Sequence, residues 1–154
     1  MLKKKHKPFL IIIFILYFVS LVYILLLKGN ISISPKDFTI AHHGTFRMPG
    51  NYNLTLLETI RLYITDIKVN QHLNSYLNLI GNIILFIPFG FMFPLLTSRR
   101  RTALLTFLTA TLFILLIEFI QLITVWGIFD VDDYILNILG VMIGWILQKI
   151  LIRR

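Results

Sequence analysis

Cysteine is absent from this chain of 154 residues, which excludes disulfides and thiolate metal sites and leaves the compartment unread by redox chemistry. Acidic side chains are scarce: seven Asp and Glu stand against fifteen Lys and Arg, for a formal net charge of +8. Catalytic signatures are missing as well. The sequence holds no G-x-S-x-G nucleophile elbow, no H-E-x-x-H zinc motif and no phosphate-binding glycine loop. His42 and His43 are adjacent, with no second histidine motif, and read as solvated loop residues rather than ligands.

What is present is apolar surface. Hydrophobic residues make up 57% of the chain, against roughly 45–50% in soluble domains, and the mean hydropathy is +0.82. The basic residues sit in short clusters beside apolar runs, the pattern that fixes membrane orientation, so nucleic acid is not an expected partner. The sequence predicts an all-α membrane protein with four transmembrane helices at about residues 9–27, 77–97, 103–126 and 134–152. The first run spans about 28 Å at 1.5 Å per residue. It is too long for a signal-peptide core and is read as an uncleaved span.

Ten basic residues (Lys3, Lys4, Lys5, Lys7, Arg99, Arg100, Arg101, Lys149, Arg153 and Arg154) fall in three short segments at one side of this topology. That bias places both termini in the cytoplasm and residues 28–76 outside. Six of the seven acids are then external; the seventh, Glu118, lies inside the third span. The external segment opens with turn formers (Gly29, Asn30, Pro35) and carries a structureless AHHGTFRMPGN stretch. From Thr55 the pattern changes. Thr55-x-x-Glu58 reads as a capping box, and Leu56, Leu57, Ile60, Tyr63, Ile64 and Ile67 recur at helical spacing. A short amphipathic helix is expected, on the outer membrane surface or against the bundle.

Within the spans, Pro88 and Pro94 remove backbone donors and predict a kinked second helix, while Gly81 and Gly90 permit close approach of a neighbour. Gly140-x-x-x-Gly144 offers another flat packing face. Trp126 reads as an interface anchor, and the aromatics of FIPFGFMFP as packing or lipid-facing groups. Glu118 lies eight residues before Trp126, about 12 Å below the outer interface. A carboxylate at that depth must pair, face an aqueous cavity or be protonated. At the same level stand Asn78, Asn82, Gln121 and Asn137, capped by Asp130, Asp132 and Asp133. Together they describe a polar pocket opening outward. The alternative is interhelical glue, at about 0.6 kcal/mol per hydrogen bond, with the aspartates capping the fourth span. Glu118, Asp132, Asp133 and Asn137 are hard oxygen donors, but no ligand spacing is diagnostic, and neither metal nor cofactor is expected.

The second span's GNIILFIPFGFMFPL, the third span's IEFIQ and the following FDVDDYILNILGVMIG resemble the VanZ-like family of small bacterial membrane proteins. The resemblance covers roughly residues 53–148, with the motifs in family order. It implies one membrane domain over residues 1–154 in the bacterial cytoplasmic membrane, in a family whose founding member is associated with resistance to the glycopeptide antibiotic teicoplanin. Its matching positions are Asn82, Phe86, Pro88, Gly90, Glu118, Gln121, Asp130, Asp132, Asp133, Asn137, Gly140 and Gly144. Two positions depart from it. Asn53-Leu54-Thr55-Leu56 lacks the proline of an N-L-x-P-F stretch, and Trp126-Gly127-Ile128-Phe129 lacks an arginine ahead of the aspartates. Arg47, Arg61 or Lys68 would have to supply that cation.

The expected function is binding of an amphiphile, a cell-envelope lipid precursor or a glycopeptide antibiotic, at the outer-leaflet pocket. Two alternatives are an enzyme acting on an envelope lipid, with Glu118 as acid and Asp132 or Asp133 as base or metal ligand, and an assembly partner docking through Gly140 and Gly144.

Overall fold

The computed structural model describes residues 7–31, 52–97, 102–124 and 128–152. The AHHGTFRMPGN stretch, Arg47, Trp126 and the arginine turn after the second span lie outside the described residues. In chain order the elements are α1 (Lys7–Ile31), β1 (Tyr52–Asn53), α2 (Glu58–Val69), α3 (Leu73–Leu96), α4 (Thr102–Thr124), β2 (Phe129–Asp130) and α5 (Val131–Leu151). Four of the helices, α1, α3, α4 and α5, are long and apolar enough to cross a membrane.

The element bounds differ from the sequence expectation in informative ways. Helix α1 runs on through Lys28, Gly29 and Asn30 to Ile31, so turn-forming residues there do not end it. Pro8 falls in its first turn, where the missing N–H has no helical partner to lose. Helix α3 starts at Leu73, four residues before the apolar run, because a polar turn at the end of a span still completes backbone hydrogen bonds. It then continues unbroken over Pro88 and Pro94. In the turn before Pro88, the Leu85 carbonyl accepts a 2.7 Å hydrogen bond from the Tyr17 hydroxyl of α1.

Helices α3 and α5 form the tightest pair, and glycine is the reason. A Cβ placed on Gly90 would stand 2.0 Å from the Val141 carbonyl oxygen; on Gly140, 2.2 Å from that of Ile83; on Gly144, 2.0 Å from that of Ile87. Backbone meets backbone at all three, the contact that small residues allow between membrane helices. The Gly140-x-x-x-Gly144 face is therefore occupied inside the bundle, which removes it as a docking face for another protein. Gly81 corrects the expectation of close approach, since a Cβ there would meet nothing within 4 Å.

The apolar core gathers Leu21 and Leu25 from α1, Phe86 and Phe89 from α3, Ala110, Ile114 and Ile117 from α4 and Val141 from α5. Phenylalanine rings knit it together: Phe18 lies 4.6 Å from Phe113, and Phe89 stacks on Phe93 at 5.3 Å. Such pairs add about 0.5–1.5 kcal/mol beyond area burial, so the aromatics of the second span are packing groups. Outward-facing positions such as Ile12, Leu16, Leu77, Ile84, Leu112 and Ile150 are exposed, as lipid-facing residues of a spanning bundle should be.

At one end of the bundle the short segments close over the spans. Strands β1 and β2 pair in parallel, Tyr52 with Phe129 and Asn53 with Asp130. Helix α2 packs on α3 and α5 without fully burying any residue. A tight turn joins it to α3. There the Asp66 carbonyl accepts the N–H groups of Asn70 and Gln71, and the Asp66 carboxylate accepts from Asn70, Ser75 and His72. Those donors hold the Asp66 carboxyl below the usual carboxylate range, the Asn70 hydrogen bond foremost.

Candidate functional site

The acidic residues divide between two tasks. Asp130 and Asp132 build a clasp that fastens α2 and β1 to the bundle, whereas Glu118 and Asp133 line a cavity beneath it.

The clasp begins with local sequence. Asp130 is the N-cap of α5, its Oδ1 accepting the Asp132 N–H at 2.8 Å, as an aspartate before a helix should. Its Oδ2 accepts from the Thr59 hydroxyl at 2.6 Å, and the Thr59 oxygen accepts from the Asn53 amide at 2.8 Å. Asn53 also turns its own chain, its Oδ1 accepting the Thr55 N–H at 2.9 Å. Asp132, fully buried, reaches across to α2 and accepts the N–H of Leu57 at 2.6 Å and of Ile60 at 3.2 Å.

Those two N–H groups, at the N-cap and the third helical position, are the pair that a capping box satisfies. A box of Thr55 and Glu58 was expected to cap the helix two residues earlier. Instead α2 starts at Glu58, with Leu57 as N-cap at φ 63° and no side-chain cap of its own. One carboxylate from α5 replaces both. Asp132 thus faces the positive end of a helix. Arg61 and Lys68 are exposed.

Burial pushes the Asp130 carboxyl up to about 6; the neighbouring Asp133 charge adds to the shift and the Thr59 hydrogen bond opposes it. The Tyr63 phenol of α2 is likewise raised, first by burial and then by the charges of Asp133 and Asp130. Tyr63 therefore flanks the acidic cluster.

Glu118, buried on α4, connects the two regions by accepting the Asp130 backbone N–H on Oε2 at 3.0 Å. Asp133 Oδ1 accepts from the Asn82 amide at 2.5 Å, joining α5 to α3. Gln121 donates to the Leu25 carbonyl of α1 at 3.0 Å. The cavity between these residues measures about 10 Å³ and is walled by Asn82, Glu118, Gln121, Asp133 and Asn137 over an apolar floor of Leu25, Phe86, Ile114 and Ile117. That is room for about one water. Asn137 is buried on this wall, and its Oδ1 has no hydrogen-bond partner.

Of the eight expected pocket residues, the structure brings Asn82, Glu118, Gln121, Asp133 and Asn137 together on one cavity. Asp130 and Asp132 stand beside it in the clasp. Asn78 is half-buried one turn from Asn82 on α3 and off the cavity wall. Sequence reasoning missed Asn53, Thr59 and Tyr63. For Asn53 a signal existed in the Asn-Leu pair of the family-like motif. Among the described residues, no three His, Cys, Asp or Glu side chains stand together as a metal site would require.

A family model described as VanZ/LLP1 matches residues 14–152. The match runs through all four spans and the clasp, so it takes in the first helix as well as the motif-bearing region. The chain belongs to the VanZ/LLP1 family. Comparison with curated proteins and with solved structures finds no match.

Proposed function

We propose that this chain is a multi-pass protein of the bacterial cytoplasmic membrane that recognises the polar end of an amphiphile, and that it contributes to protection against glycopeptide antibiotics of the teicoplanin kind. In this reading both termini are cytoplasmic, as the basic clusters favour. The clasp and cavity then face the outer leaflet, where lipid-linked envelope precursors and glycopeptides meet the membrane.

The observation that carries the proposal is the unpartnered Asn137 Oδ1 at a cavity lined by two carboxyl groups. Interhelical glue accounts for Asn82, Gln121 and much of Glu118, since each has a named partner. It does not account for a buried amide oxygen left unsatisfied, which costs about 1–3 kcal/mol. Size limits what enters. Drug-sized ligands occupy about 300–1,000 Å³, so a cavity of about 10 Å³ takes one terminal group while the remainder of the amphiphile lies along the helices in lipid.

The test is drug susceptibility of a teicoplanin-sensitive bacterium expressing the wild-type chain, Glu118→Gln or Asp133→Asn. Protection by wild type and its loss in both variants, at equal membrane levels, is expected. Unchanged susceptibility across all strains refutes the protective role.

A further inference from the structure

We propose that the outward face of α2 binds the headgroup layer of acidic phospholipids, with Arg61 and Lys68 as the side chains that meet the phosphates. This surface is separate from the cavity beneath the clasp, so it stands or falls apart from the amphiphile reading.

Helix periodicity divides α2 into two faces. Ile60, Tyr63 and Ile67 are half-buried on the face that meets α3 and α5. On the other face Leu57, Arg61, Ile64 and Lys68 recur at intervals of three and four and are all exposed. Water is a poor match for such a stripe. Leu54 and Leu56 lead into it at 65% and 61% exposure, and Val69 leaves it at 72%. An exposed apolar patch of this kind marks a contact with protein or membrane.

Continuity decides for the membrane. Residues 70–72 alone separate α2 from α3, on which Leu73, Leu77, Ile80 and Ile84 are exposed at helical spacing as part of the lipid-facing surface of the bundle. The apolar surface of α2 therefore leads directly onto a row that lies in lipid. A two-fold pairing of this face with a second copy would instead set the same two cations against each other.

Charge names the lipid class. The Asp66 carboxylate is turned to Asn70, Ser75 and His72. Among the described residues no carboxylate stands within ion-pairing distance of Arg61 or Lys68, half-buried Glu58 included. The two cations lie about 10 Å apart along the helix at 1.5 Å per residue, interleaved with Leu57 and Ile64. Long basic side chains so placed lay their carbon stems on apolar surface and lift their charge to the headgroup level, where phosphate oxygens accept charge-assisted hydrogen bonds. A zwitterionic lipid carries its own cation beside the phosphate. An acidic lipid does not, and each Lys or Arg near an anionic surface gains about fivefold in affinity.

The experiment uses the full-length protein in phosphatidylcholine nanodiscs. Since the chain holds no cysteine, Thr65→Cys, exposed between the two cations, places a single bimane fluorophore on this face. Phosphatidylglycerol or phosphatidylcholine carrying a nitroxide near the glycerol backbone is added as a minor component, and quenching reports which lipid lies against α2. Phosphatidylglycerol is expected to quench with an apparent affinity at least about fivefold above phosphatidylcholine. Arg61→Gln with Lys68→Gln should bring the ratio close to one while exchange protection of the Leu57 and Ile60 amides is unchanged. Raising sodium chloride to about 1 M, where the Debye length is about 3 Å, should do the same to the parent protein without altering its sequence.

Equal quenching by both lipids in the parent protein overturns the acidic-lipid site, although α2 would still lie in the interface. Quenching by neither overturns it in favour of water or another protein on this face. A preference that survives both the double substitution and high salt also overturns it, because Arg61 and Lys68 would not be its source.

Discussion

Replacing Asp132 with alanine should release α2 while leaving the four spans assembled. Asp132 is fully buried and makes two hydrogen bonds to backbone N–H groups that have no other cap, at 2.6 Å to Leu57 and 3.2 Å to Ile60. Hydrogen bonds to a charged group are worth about 1.5–3 kcal/mol each, and loss of an N-cap costs about 0.5–2 kcal/mol. As the pair acts together and is not additive, about 2–4 kcal/mol of local stability should disappear. Hydrogen–deuterium exchange in lipid nanodiscs reads this directly, because 1.4 kcal/mol is a factor of ten in the opening equilibrium. Protection at the α2 amides is expected to fall by roughly thirty- to a thousandfold. Asp132→Asn keeps one carbonyl oxygen for the Leu57 N–H and should lose about half of that free energy. Unchanged protection at Leu57 and Ile60 in the alanine variant would refute the capping argument, and so would a uniform loss across α3, α4 and α5.

Gly144→Ala and Gly140→Ala should prevent close packing of α3 on α5, because their Cβ atoms would lie 2.0 and 2.2 Å from backbone oxygens; Gly81→Ala, in open space, should gain about 0.5–1 kcal/mol of helix stability, and thermal melting in micelles separates the two outcomes. The raised Asp130 carboxyl gives a pH dependence with a definite sign. Its folded value of about 6 lies above the ordinary 3.8 of an aspartate, so its contribution is complete below pH 3.8 and is lost as pH rises through about 6. The amount is about 3 kcal/mol, and Asp130→Asn should flatten the melting profile across that window. Gln71 holds φ 54° in the turn after α2, so Gln71→Gly should stabilise the turn by up to about 1 kcal/mol in chemical denaturation, unless its side chain makes a contact worth more. Asn137→Ala, which removes the unpaired acceptor without adding bulk, should leave the melting temperature unchanged or raise it; a clear fall would show that the amide is structurally required.

The spans were legible because the apolar runs are long enough for bilayer length and composition to decide them. Gly140 and Gly144 were legible as a flat face, but only the fold shows that α3 fills it. Asn78 and Asn82 share a helical face, yet only Asn82 reaches the cavity wall; spacing gives direction around a helix and not the depth at which a neighbouring helix arrives. The capping box failed for a different reason. Thr55 and Glu58 satisfy a local pattern, but the acceptor that wins is Asp132, 75 residues from Leu57 in sequence, and no local window contains both. The two-residue strands β1 and β2 are too short to show any period.

Glu118 is the residue to which sequence directs attention, and Asn137 is the one the structure leaves unexplained. A carboxylate at membrane depth costs about 2.5–3.5 kcal/mol on insertion scales, and one hydrogen bond from the Asp130 N–H to a charged oxygen returns about 1.5–3 kcal/mol. Holding the start of β2 and α5 against α4 therefore comes close to accounting for Glu118 without any ligand. Asn137 has no such return. Its Oδ1 is buried without a partner on a helix whose neighbouring glycines are placed for closest packing. A small apolar side chain there would avoid the penalty. A bundle selected only for stability would close over that position, so the persistence of an acceptor beside two carboxyl groups argues that something other than packing satisfies it.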